Sequence, residues 1–178
     1  MGNALELESR KMIYDFIHSR PGTYMREMER ELGMGVGMLT YHLRVLTEAG
    51  IIRVEKEGNH LRYFRSDDLH LEDRRTLSYL RDGPSRVILV YILDNGSVSV
   101  SQLKALTGMS SSTIYYHLKK LSSVGLVAIS KGESITASVP DPDRMINMLL
   151  LVKEDIEKDP AEALTSAWDR LKRLRPLT

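Results

Sequence analysis

Two stretches of this chain, TYHLRVLTEAGII (Thr40 to Ile52) and YYHLKKLSSVGLV (Tyr115 to Val127), set the same kinds of side chain at the same spacing. In each, a tyrosine precedes a cation by three residues: Tyr41 and Arg44, then Tyr116 and Lys119. Residues three apart share one face of a helix, so each stretch would present a phenol beside a long cation. Small or hydroxyl-bearing neighbours surround both pairs. They are Gly37 and Thr40 in the first copy, and Ser111, Ser112, Thr113 and Tyr115, with Lys120, in the second. A helix entering a duplex groove needs this chemistry: cations for phosphates or guanine edges, hydroxyls for backbone oxygens, small residues at close approach. An ordinary solvated face is the plainer reading, but a phenol exposed twice at one position is costly without a purpose.

Other chemistries find little support. The chain has no cysteine, which removes disulfides, thiolate metal sites and thiol sensing. Its five histidines are scattered and none pairs at ligand spacing with a third donor, so neither metal nor cofactor is expected. No nucleophile–base set or carboxylate pair is legible, and the chain reads as a non-enzyme. The glycines of GMGVG follow a helix rather than a strand and lack the Lys-Ser/Thr of a phosphate loop, so they read as a turn. The longest apolar run, MINMLLLV from Met145, is far shorter than the roughly 20 residues a membrane helix needs. No signal peptide is visible at the N-terminus, and the expectation is a soluble, cytoplasmic protein.

Net charge is only +1, but its distribution is uneven. Residues 34–66 hold five Lys/Arg against three Asp/Glu, and residues 99–140 hold four Lys against one Glu. The remaining segments are each net acidic. Positive charge therefore gathers around each copy of the repeated line, as phosphate contact requires.

The elements that must position these residues follow from periodicity. Met12, Ile13, Phe16 and Ile17 predict a helix over 6–19, ended by Arg20-Pro21-Gly22. MREMEREL gives a second helix stopped by Gly33, and a third runs over 36–48 with Leu39, Leu43 and Leu46 as its buried stripe. Its outward set is Gly37, Tyr41, Arg44 and Glu48, with Met38 and Val45 on one shoulder. A hairpin follows, turning at Gly58-Asn59. The second copy repeats the order: a helix capped by Ser85, another from Ser101 to Gly108, a third over 111–123, and a hairpin around Gly132. A connecting helix is expected after Asp67-Asp68, breaking at Gly83-Pro84. Beyond Pro140 come two more helices, the last opening with Asp159 as cap, Pro160 at N1 and Glu162 at N3. The expected division is 1–66, a connecting helix over 67–83, then 84–140, and a helical segment over 141–178.

Helix, helix, turn, helix and two-stranded hairpin, twice over, is the order of a tandem winged helix-turn-helix chain: mainly α with small β-hairpin wings. The YHLxxLxxxGL/I line resembles the third helix of ArsR-like and MarR-like winged-helix regulators. The whole layout resembles archaeal regulators with two such domains and a helical C-terminus. The resemblance implies a sequence-specific, double-stranded DNA-binding transcriptional regulator, with the third helices in the major groove and the wings along the backbone. It places His60 and Arg62 of the first wing, and Lys131 of the second, at phosphates. Metal-sensing ArsR members need cysteines that this chain lacks, so metal-responsive repression is not expected. Paired winged helices also serve as protein–protein adaptors, in condensin accessory subunits and the transcription machinery. That alternative stays open, as does a mixed one in which only the second domain, richer in cations and hydroxyls, binds DNA. Met148, Leu164, Trp168 and Leu171 are expected either in the core between the C-terminal helices or at a homodimer interface.

Overall fold

The computed structural model describes residues 7–57, 59–67, 70–158 and 162–174. The expected turn residue Gly58, the Asp68 start signal, the Asp159-Pro160 cap and the Glu162 side chain lie outside what is described. The chain divides into two compact units, Met1–Ser78 and Tyr79–Thr178.

In the first unit, α1 (Glu8–Ser19), α2 (Met25–Leu32) and α3 (Val36–Glu48) precede the antiparallel pair β1 (Ile52–Glu57) and β2 (His60–Arg65). Helical spacing brings Ile13 and Ile17, Met28, and Leu39, Leu43 and Leu46 to a common core, closed by Ile52 and Tyr63 of the hairpin. The Thr23–Tyr63 bridge ties the α1–α2 loop to the wing: Tyr63 N donates to Thr23 O at 3.0 Å, and Gly22 N to Tyr63 O at 2.8 Å. The helix α4 (Leu71–Leu80) spans the division between units, and within the first unit its Arg74 pairs with Glu55 of β1.

In the second unit, α5 (Gly83–Asn95), β3 (Ser97–Ser99), α6 (Val100–Thr107), α7 (Ser111–Ser122), β4 (Ala128–Lys131) and β5 (Ile135–Ser138) repeat the pattern. Here β3 is a full strand, and the sheet order is β3-β5-β4 with Ala137 between Val98 and Ile129. Sequence reading misses β3, because its Ser-Val-Ser alternation spans only three residues, too short a run to mark a strand. Two helix starts also differ from expectation. Ser99, not Ser101, caps α6, with Ser99 and Gln102 forming a reciprocal capping box. The α4–α5 break falls at Arg81-Asp82, and Gly83-Pro84 opens α5, so Ser85 lies inside that helix rather than at its cap.

The C-terminal segment forms α8 (Pro142–Leu150), α9 (Lys153–Glu157) and α10 (Glu162–Leu174). α10 packs along α5, and Arg170 holds Asp94 through two hydrogen bonds of 3.1 and 2.6 Å. α5 is consequently buried on nearly every side, with Ile88, Leu89, Val90 and Ile92 inaccessible. Met148, Leu164, Trp168 and Leu171 are all buried within this unit. The core reading of these four therefore holds, and the dimer-interface reading does not: their apolar surface is already used.

The repeated glycines of the two lines have one job. Gly50 (φ 69°) and Gly125 (φ 76°) take the left-handed conformation just past α3 and α7. The next residues then fold back, with Ile51 N bonding Leu46 O and Leu126 N bonding Leu121 O, both at 3.0 Å. A side chain is strained in this conformation, and the hairpin can begin here because glycine has none.

Candidate nucleic-acid interface

The rotation of α7 is set from inside. Ile114, Leu118 and Leu121 are buried, which turns Ser111, Ser112, Tyr115, Tyr116, Lys119 and Ser123 outward. Tyr116 is 63% exposed, the most open large apolar side chain among those described. Ser110 starts the helix: its Oγ accepts from Thr113 N at 3.2 Å and meets the hydroxyls of Ser112 and Thr113 at 2.9 and 2.8 Å. The first turn of α7 is thus a hydroxyl cluster, followed one turn later by two phenols and then by Lys119.

Lys120 is less available than expected. It is about one-third exposed, lies 3.7 Å from Asp82 and sits over the Tyr79 ring at 5.2 Å. Beside it, His117 is buried with Nδ1 at 3.0 Å from Ser85 Oγ and 3.2 Å from Asp82 Oδ2. Burial lowers the His117 pKa; the Asp82 carboxylate opposes this and Lys120 adds to it. Ser85, His117 and Asp82 are residue types that can run nucleophilic catalysis, but both oxygens meet the same ring nitrogen and Ser85 is fully buried. A relay needs the acid and the nucleophile on opposite nitrogens. This trio instead fastens the start of α5 to the back of α7.

On α3, Leu39, Leu43 and Leu46 are buried and Gly37, Thr40, Tyr41 and Arg44 face outward. Arg44 lies 3.9 Å from Glu48 with both side chains about two-thirds exposed, a pairing too weak to hold the guanidinium. Thr40 donates its hydroxyl to Val36 O at 2.7 Å. His42, the counterpart of His117, is buried; desolvation and then the Arg10 charge lower its pKa. Val36 and Met38 are half-exposed at the start of this helix. The sequence expectation of a helix over 36–48 includes Val36 but gives it no part in the outward face, and puts Met38 only on a shoulder.

The wings correct one assignment outright. Arg62 is 5% exposed: it donates to Gly22 O at 3.0 Å and Ser78 O at 3.4 Å, and stacks over Tyr24 at 4.5 Å. It is a structural anchor, not a backbone contact. Alternation counted back from Phe64, which is fully buried, puts Arg62 on the same face and could have revealed this. The exposed cations of the first wing are Arg53 and Lys56, which sequence reading passed over. His60 is exposed and meets Tyr24 edge-on at 5.9 Å, and Lys131 is exposed at the end of β4.

Among the described residues no group of three His, Cys, Asp or Glu could hold a metal ion, and no helix is long and apolar enough to cross a membrane.

Residues 83–128 match a family model described as bacterial regulatory protein, arsR family, and residues 7–77 match one described as an N-terminal HTH domain. An uncharacterized HTH-type transcriptional regulator of Methanocaldococcus jannaschii is 34% identical over 120 residues, covering 67% of this chain. The chain spans about 30% of that relative's length. Two solved structures are more loosely similar. TrmBL2, an archaeal chromatin protein with a novel mode of DNA binding, is 16% identical with a TM-score of 0.34, over 57% of this chain and 41% of its own. A chain of the endosomal complex ESCRT-II is 18% identical with a TM-score of 0.33, over 75% of this chain and 62% of its own.

Proposed function

We propose that this chain, with two helix-turn-helix regions of which the second matches the arsR family of bacterial regulatory proteins, is a double-stranded DNA-binding transcriptional regulator acting in the cytoplasm. The observation that carries the reading is the face of α7. Hydroxyls at its first turn, Tyr115 and Tyr116 at its second and Lys119 beyond them all stand clear of the buried Ile114, Leu118 and Leu121. Such a face offers donors to phosphates and base edges along one helix, while the buried trio behind it keeps the helix from rotating. The regulator name of the Methanocaldococcus relative agrees with it. On this reading α7 enters the major groove, Lys131 meets the backbone from the second wing, and α3 with Arg53 and Lys56 makes the corresponding contacts in the first unit.

The test is duplex binding by the full chain across a range of salt. Each phosphate neutralised contributes about −0.9 to the slope of log affinity against log salt. Lys119→Ala is expected to weaken binding and to flatten the slope by about one phosphate's worth. Tyr116→Ala is expected to weaken binding with little change in slope. Unchanged affinity and slope in both variants would show that this face does not meet DNA.

A further inference from the structure

The two outward helices carry different chemistry. In α7 the exposed residues of the first two turns are Ser111, Ser112, Tyr115 and Tyr116, each with a hydroxyl. In α3 the corresponding turns expose Val36, Gly37, Met38, Thr40 and Tyr41. No Arg, Lys, Asn or Gln lies between Val36 and Leu43, so no side chain there can make a bidentate hydrogen-bonded reading of a base edge. The hydroxyl of Thr40 is already turned back onto Val36 O at 2.7 Å. What remains is mainly apolar: Val36 is 51% and Met38 50% exposed, and Tyr41, 50% exposed, adds a ring with one hydroxyl at its tip. The bare Cα of Gly37 stands between Val36 and Met38, with open space where its side chain would be.

The major groove offers one apolar group for such a surface, the C5-methyl of thymine. The N-terminal turns of a recognition helix are the part that reaches base edges. We infer that α3 reads thymine methyls through Val36 and Met38, so that the site bound by the chain is unsymmetrical: an A·T-rich half under the first unit and a half recognised by hydroxyls and Lys119 under the second. This deepens the DNA-binding reading and rests on it. A protein partner fits the same surface less well. Three half-exposed side chains fall far short of the roughly 800 Å² per partner that a stable protein interface buries. Cations also stand at its edges. Arg44 is exposed one turn on, and Thr40 touches Met25 Sδ at 3.8 Å, which brings the N-terminal end of α2, with exposed Arg26, alongside.

The experiment starts from duplexes selected by the full chain from a random pool. In a selected duplex, thymines are replaced by deoxyuridine one half at a time, which removes the methyl and keeps the base pairing. Burying one methyl-sized group is worth about 0.8 kcal/mol, a factor of about four in affinity. The expected result is a loss of about four-fold per contacted thymine in one half and none in the other. The double variant Val36→Ala, Met38→Ala is expected to bind more weakly and to lose the preference for thymine over deoxyuridine. Lys119→Ala should weaken both duplexes equally and keep that preference. Both side chains replaced in α3 are exposed, and unchanged circular dichroism would verify that folding is intact. Equal affinity for thymine and deoxyuridine duplexes overturns the inference and leaves DNA binding standing. Failure to select any duplex overturns both readings, and the apolar trio then becomes a protein-docking face.

Discussion

At the scale of single residues, buried polar side chains separate stability from binding. Arg62 lies within a wing, yet its guanidinium satisfies two carbonyls and covers a ring. Replacing it with Ala strands the Gly22 carbonyl in a buried loop, at a cost of about 1–3 kcal/mol. Denaturant unfolding of Arg62→Ala should show that loss, while the salt dependence of DNA binding stays as in the parent. His117 gives a second, pH-dependent prediction. Its folded-state pKa is lowered, chiefly by burial, so the unfolded chain takes up protons that the folded chain refuses. Stability from this source is complete above the unfolded value of about 6.5 and is lost as pH falls through it toward the lower folded pKa. His42 acts in the same direction in the first unit. Asp67 and Asp169, lowered first by hydrogen bonds from Arg65 and Lys172, matter only at lower pH, where carboxylates titrate. The melting temperature should therefore drop already between about pH 7 and pH 5, ahead of any carboxylate effect. His117→Gln should have a shallower drop, and an unaltered one would mean that the ring is not held neutral.

At the scale of elements, starts and stops decide whether the repeat forms. Ser99 and Gln102 bond reciprocally at 3.2 and 2.8 Å, so Ser99→Ala should cost about 1 kcal/mol by thermal unfolding. Gly125→Ala forces a side chain into a left-handed backbone and should cost about 1–2 kcal/mol, without touching the outward face of α7. These elements also show where sequence reading succeeds. The leucine stripes of α3 and α7, the Gly33 and Gly108 stops and both hairpins were legible, because apolar period and glycine punctuation are local signals. The strand β3 was not, since its alternation lasts only three residues and its pairing partner Thr136 lies 37 residues beyond Ser99. Outward side chains were legible wherever the helical stripe fixed rotation, as for Tyr41, Tyr116 and Lys119. Arg62 and Lys120 were misjudged because a cation's availability depends on which acids, rings and carbonyls tertiary packing brings beside it.

At the scale of the whole molecule, the chain repeats a fold but supports its two copies differently. The second copy has α10 laid along α5, with Leu164, Ala167, Trp168 and Leu171 of α10 buried and Arg170 paired with Asp94 of α5. Deleting residues 159–178 should therefore expose the flank of α5 and unfold the second unit, with the amide spectrum of the first unit retained in nuclear magnetic resonance. The same packing places the chain's single tryptophan, Trp168, wholly out of solvent, with Lys172 at 5.9 Å from its ring. No tryptophan exists in residues 1–78. Indole fluorescence is thus a native optical gauge that reports one half and is blind to the other. During chemical denaturation its red shift will time the opening of the second unit alone, while far-ultraviolet dichroism sums both, so the gap between the two curves measures how independently the halves unfold.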